Sequence, residues 1–204
     1  MASTGGAPVD SRVQRSKDAV LAATSALLSE RGVGGVSVDE VSRRCGVAKT
    51  TIYRHWPSRA ALLLDACSTL NHPAPTPDSG SLRGDLRLLA DRLAGDLGSA
   101  RWAAVLPSIL DAAERDPDLA RLHHQLHAGL VQPFTEVVQR AQARGELRPG
   151  ADTTAHLLAG ILGPLFYRRW FSREPIDSAF LDTVLDQAVP PTTGQPATPA
   201  GPGQ

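Results

Sequence analysis

The sequence predicts an all-α fold, on three observations. Apolar residues return every three or four positions through most of the 204 residues, the period of one helix face. Valine and isoleucine are scattered and never build the alternating runs that strands require. The abundant glycine and proline cluster at the two ends and in the breaks between periodic segments, where they separate one helix from the next.

Taken in order, residues 1–10 (MASTGGAPVD) have little to bury and are expected to be disordered. The first helix follows, with Val13, Val20, Leu21, Thr24, Leu27 and Leu28 on one face and Gly32 as its stop. Next comes SVDEVSRRCGVAKTTIYRHW, Ser37 to Trp56. Val38, Val41 and Cys45 share a face. Ser37 stands where its hydroxyl can accept from free backbone N–H groups, and Asp39 and Glu40 suit the positive end of the helix dipole. Gly46 ends this helix, and the three or four residues that follow are the turn that two crossing helices need. A second helix is expected from Ala48 to Trp56, stopped by Pro57. At about 100° per residue, Ile52 and Trp56 fall together, with Thr50, Thr51 and Arg54 opposite and Tyr53 and His55 on the flanks. One face packs. The other carries hydroxyls, a guanidinium, a phenol and an imidazole, with Lys49 at the helix start, donors suited to phosphate oxygens and purine edges. Cap, glycine turn, packing pair and basic face together point to a helix-turn-helix that docks on double-stranded DNA.

From Arg12 to about Asp65 the chain resembles the TetR/AcrR family of bacterial transcriptional regulators, through AATSALLSERG (Ala22 to Gly32), the stretch Ser37 to Trp56, and PSRAALL (Pro57 to Leu63). The resemblance implies a three-helix N-terminal helix-turn-helix DNA-binding domain, followed by a helical C-terminal ligand-binding and dimerisation domain. It places Ser37, Lys49, Thr50, Thr51, Tyr53, Arg54, His55 and Arg59 at positions that contact DNA in relatives. Ala48 sits where a capping serine is common, which removes a possible phosphate contact. Trp56 replaces the usual phenylalanine, a change that packing should absorb.

Beyond Pro57, Ser58 is a plausible cap for a helix to about Leu70, and NHPAPTPDSG (Asn71 to Gly80) breaks the chain. Leu82, Leu86, Leu89, Leu93 and Leu97 mark the next helix. Others are expected at about Arg101–Arg115, Pro117–Arg144, Asp152–Phe171 and Ile176–Val189. The expected organisation is a disordered 1–10, a DNA-binding domain at 11–57, a connecting helix and linker at 58–78, a ligand-binding and dimerisation domain at 79–189, and a flexible 190–204. Pro107, Pro133 and Pro164 fall inside apolar helical patterns, as helix boundaries or as kinks that open a cavity.

The net charge is zero, but residues 1–60 hold nine Lys/Arg against five Asp/Glu, and the remainder twelve against sixteen. A basic first third joined to an acidic remainder fits a DNA-facing module and one that faces away. The two cysteines, Cys45 and Cys67, match no metal spacing and read as free thiols. No apolar leader segment is seen, and Thr153 to Tyr167 is too short to span a bilayer. A cytoplasmic protein with no membrane contact is expected. His123 and His127 lie one helical turn apart but lack a third ligand in sequence, so neither a metal nor another cofactor is expected. No nucleophile elbow or phosphate loop appears, and no catalytic residue is expected.

The resemblance further implies a small-molecule effector and a homodimer. Candidate pocket residues are Trp102, Leu106, Leu110, His127, Phe134, Phe166, Tyr167 and Trp170. Candidates for the subunit interface are Leu158, Ile161, Leu165, Phe180, Leu181 and Val184, in helices where Gly160 and Gly163 permit close approach. The expected function is a dimeric, ligand-released repressor on a near-palindromic operator. A rival reading, a helical small-molecule-binding protein or enzyme with a vestigial helix-turn-helix, predicts ligand binding without DNA preference.

Overall fold

A computed structural model describes residues 7–70, 75–147 and 153–189, and these are helical with no strand among them. Helix α1 runs Ala7–Arg31 and a single 3-10 turn covers Val33–Gly35, followed by α2 Val38–Cys45, α3 Lys49–His55 and α4 Arg59–Leu70. Then come α5 Leu82–Gly98, α6 Ala100–Ala113, α7 Pro117–Ala143 and α8 Thr153–Tyr167. A π-turn, Arg168–Ser172, ends α8, and α9 spans Ser178–Ala188. Helix α1 thus begins at Ala7, inside the stretch expected to be disordered. Residues 1–6 and 190–204 lie outside the described residues.

Local chemistry explains the boundaries. Ser37 has extended backbone angles and its hydroxyl accepts from Glu40 N–H at 3.2 Å, the expected cap of α2. Gly46 is left-handed (φ 71°) and its N–H donates to Ser42 O at 2.9 Å, which closes α2. Ser42 Oγ also donates to Val47 O at 2.7 Å, tying the turn to the helix it follows. Asp177 caps α9 by accepting from Phe180 N–H at 2.9 Å, a signal the sequence reading passed over. Pro107, Pro133 and Pro164 all lie inside continuous helices, so the boundary reading of these residues does not hold.

The chain divides into two compact units. The first comprises the residues up to Pro75 with Arg92–Pro133. Its core joins Val20, Leu27 and Leu28 of α1, Val38 and Val41 of α2, Ile52 and Trp56, Leu62, Leu63 and Cys67 of α4, Val105 and Ile109 of α6, and Leu122 of α7. Each large side chain so buried contributes about 1.5–3 kcal/mol. Thr24 is buried among them and satisfies its hydroxyl by donating to Val20 O at 2.8 Å. Cys67 is an inert thiol, with burial pushing its pKa up to about 12.

The second unit comprises Thr76–Asp91 and the residues from Phe134 onward. Leu82, Leu86, Phe134, Val137, Ile161, Leu165, Leu181 and Leu185 are buried in it. Arg87 straps α5 to α9, donating to Asp182 at 2.5 Å and to Ser178 Oγ at 2.6 Å. Arg83 adds an ion pair to Asp186.

Two glycines should respond oppositely to alanine. At Gly46 the space is open but φ is 71°, so Gly46→Ala should lower the urea unfolding free energy by about 1–2 kcal/mol. Gly129 lies inside α7 with no atom within 4 Å of an added Cβ, so Gly129→Ala should raise it by about 0.5–1 kcal/mol.

Candidate nucleic-acid interface

Helix α3 has seven residues, too few to be stable alone, and its packing side anchors it. Ile52 and Trp56 are buried, and Trp56 Nε1 donates to Asp65 Oδ2 of α4 at 2.8 Å. The opposite side is open: Lys49, Thr50, Tyr53 and Arg54 are exposed, and Thr51 is half-buried at its edge. Ala48 precedes the helix without a side-chain cap, which leaves the first N–H groups of α3 free for an acceptor from outside.

Electrostatics sharpen the picture. Arg43 and Arg31 share Glu40, and Arg44 binds Glu30 in a two-pronged pair, so two carboxylates offset two of these three charges. Lys49 pairs with Asp39 across the turn, but both ends are solvent-exposed, and such a pair is weak enough for a phosphate to displace. Arg54 has no ion-pair partner among the described residues. His55 is half-buried with its Nε2 out of solvent and without a hydrogen bond among the described residues. Desolvation, then the cations Lys17 and Arg54, hold its pKa below the ordinary histidine value. Lys17, on α1, is thus one of the cations near His55. It was missed in sequence because it lies over thirty residues from α3, although its place beside the apolar stripe of α1 marks it as lateral.

Arg59 departs from expectation. Its Nε donates to Val36 O at 2.6 Å and its Nη2 to Val33 O at 2.5 Å, so the guanidinium is spent on backbone carbonyls of the turn between α1 and α2. Ser37 is exposed, but its hydroxyl is engaged by Glu40 N–H.

The other candidates scatter. In the first unit, Leu106 is half-buried, while Leu110 and His127 are exposed; the Trp102 side chain lies outside the described residues. In the second, Phe134 is buried core, Phe166 sits against Trp170 with ring centroids 5.4 Å apart, and Tyr167 is 60% exposed, stacked on Phe171. A groove of about 500 Å³ lies along α8 and α9, lined by Pro164, Arg168, Asp177, Phe180, Val184 and Gln187 among others, and none of the pocket candidates lines it. Two interface candidates do, Phe180 and Val184. Ile161, Leu165, Leu181 and Val184 are buried within the single chain, whereas Leu158 and Phe180 are half-buried, the latter beneath the Arg168 guanidinium at 3.6 Å. No helix among the described residues is long and apolar enough to cross a membrane.

A capped scaffold helix, a glycine turn and a short helix with one face sunk and one face basic define a DNA-binding transcriptional regulator. Comparison with known proteins places it further. Residues 20–66 match the family described as bacterial regulatory proteins, tetR family, and residues 76–188 match the tetracyclin repressor-like C-terminal domain. The chain belongs to the TetR family. It is 31% identical to the uncharacterized HTH-type transcriptional regulator YdeS of Bacillus subtilis, over 91% of this chain and 93% of that one. It is 30% identical to the DNA-binding transcriptional repressor TetR of Mycobacteroides abscessus, over 84% and 90%. Among solved structures, a TetR family transcription regulator with 29% identity superposes at a TM-score of 0.66, covering 86% of this chain and 97% of its own. The relatives' names describe regulators, in keeping with the absence of a catalytic motif in the sequence.

Lys49 and Arg59 should separate in experiment. Lys49→Ala should reduce the slope of log affinity for DNA against log salt by about 1. Arg59→Ala should instead lower the unfolding free energy by about 1–3 kcal/mol, because buried carbonyls lose their donors, and should leave that slope unchanged. A flattened slope in the Arg59 variant would return this residue to the DNA surface.

Proposed function

We propose that this chain is a ligand-released dimeric repressor that reads a near-palindromic operator through the helix Lys49–His55. The observation that carries the reading is the two-faced α3, with Ile52 and Trp56 buried while Thr50, Tyr53 and Arg54 stand outward. Arg54 has the fork geometry to donate to guanine O6 and N7, and Thr50 and Thr51 can reach a base edge or a phosphate. Tyr53, His55, Lys49, Ser37 and the uncapped start of α3 suit the backbone, joined by Lys17. Arg59 serves the same surface indirectly, by holding the turn.

Dimerisation follows from reach. Seven residues at 1.5 Å each span about 10 Å of groove, too little to specify a site, so a second copy is needed. Twofold symmetry sets the two α3 helices about 34–36 Å apart, one DNA turn, or a multiple of it. The subunit face is assigned to α8 and α9. Ile161, Leu165, Leu181 and Val184 have their apolar area spent within one chain, so that face rests on Leu158 and Phe180 with the exposed Tyr167 and Phe171.

The name of the Mycobacteroides abscessus relative favours repression over activation. The match to a tetracyclin repressor-like C-terminal domain favours a small-molecule effector bound in the region after residue 76, with Phe166 and Trp170 the aromatic candidates there. A coupling of about 1–3 kcal/mol between effector and DNA changes affinity about five- to 150-fold, enough for a switch. The chromosomal target sets the site of action in the cytoplasm.

Fluorescence anisotropy with a duplex from the chain's own upstream region, against a scrambled duplex at fixed salt, tests the core of this reading. The upstream duplex should bind more tightly, and Arg54→Ala should cost about 1–3 kcal/mol on that duplex while changing the scrambled one far less. Equal binding of both duplexes by the unaltered chain would sink the proposal.

A further inference from the structure

The turn between α1 and α2 is gripped from two sides through one residue. Val33 is 0% exposed, so neither its N–H nor its C=O can turn to water. The N–H donates to Ser108 Oγ of α6 at 3.0 Å, and that hydroxyl donates onward to Val105 O at 2.7 Å. The C=O accepts from Arg59 Nη2 of α4, whose Nε holds Val36 O. Gly32 makes the approach of α6 possible: φ is 65°, and a Cβ there would stand 2.9 Å from Ser108 Cβ. Two backbone bonds of the turn are long, Gly35 N to Gly32 O and Val36 N to Val33 O, both 3.2 Å. Ser37, the cap of α2, lies four residues beyond Val33.

We propose that Ser108, although outside the helix-turn-helix, is a positioning residue for DNA binding: together with Arg59 it clamps Val33 and so sets the angle at which α1 delivers the chain to α2 and α3. The turn's own long bonds hold that angle weakly. The clamp supplies a further constraint, because Ser108 Oγ answers the buried Val33 N–H and Arg59 adds a side-chain donor to the Val33 C=O. Presentation of Thr50, Tyr53 and Arg54 to a groove is a matter of about an ångström, so a loosened turn costs recognition without removing any contacting side chain.

The test uses the full chain with Ser108→Ala. Backbone amide exchange at Val33, read by NMR, should speed up at least about tenfold, the scale of one released buried N–H. Affinity for the upstream duplex should fall roughly tenfold relative to the scrambled duplex, with the salt slope unchanged because no charge is lost. Ser108→Ala combined with Arg59→Gln should lose less specificity than the two separate losses together, since both open the same clamp. A merely structural role would lower the melting temperature and leave the ratio of upstream to scrambled affinity intact, and that result overturns the proposal; so does an unchanged exchange rate at Val33. If the alanine variant does not fold, the unaltered chain decides. Its Val33 amide should exchange far more slowly than that of exposed Gly34 and slow again on binding the upstream duplex, and exchange as fast as Gly34 overturns the clamp.

Discussion

Everything this molecule does to DNA depends on the insertion of Ile52 and Trp56 into a core that α3 cannot supply for itself. A seven-residue helix has no stability of its own, because the first turn fixes several residues for a single hydrogen bond. Here its axis is set by two buried side chains and by the indole N–H held on Asp65 of α4. The outward residues of α3 are therefore positioned by residues on its buried side. The same dependence explains why α1 is long and why α4 carries Leu62, Leu63 and Cys67 at 0% exposure: these helices are the floor on which α3 stands.

Charge is arranged by cancellation as much as by accumulation. The first sixty residues are basic in total, and Glu30 and Glu40 offset two of the three charges of Arg44, Arg43 and Arg31, which localises part of the remaining excess elsewhere. What remains near α3 is Arg54, Lys17 and a loosely held Lys49. A few uncancelled cations beside exposed hydroxyls give a surface whose affinity for phosphate is limited, so that base contacts can decide where it settles. Asp39, paired with Lys49, would face phosphates as a like charge once Lys49 moves, and this too disfavours indiscriminate binding.

The helices and their order were legible because each is written in an apolar period of three to four with a cap or glycine at its edge. Ser37, Gly46 and Pro57 fixed the helix-turn-helix to within a residue. The outward face of α3 was legible for the same reason, since Ile52 and Trp56 can share a side only if Thr50 and Arg54 share the other. Long-range partners were not. Arg59 resembles a phosphate contact in sequence, and only folding brings the carbonyls of Val33 and Val36 to it. Lys17 and Ser108 were invisible as members of the DNA-binding half because nothing local to them differs from an ordinary surface lysine or helix serine.

The C-terminal half resists reading for a different physical reason. Core and pocket are lined by the same residue types, and the hydrophobic pattern of a helix reports that a side is buried without reporting against what. Phe134 and Ile161 were selected for apolar bulk, and both proved to be core. Interior prolines at 107, 133 and 164 are a better guide, since each withholds a backbone donor and costs about 3 kcal/mol or more in an ordinary helix. Pro164 lines the groove along α8 and α9, and Pro107 immediately precedes Ser108, the residue that reaches Val33. In each of these two places the helix runs on without one backbone donor.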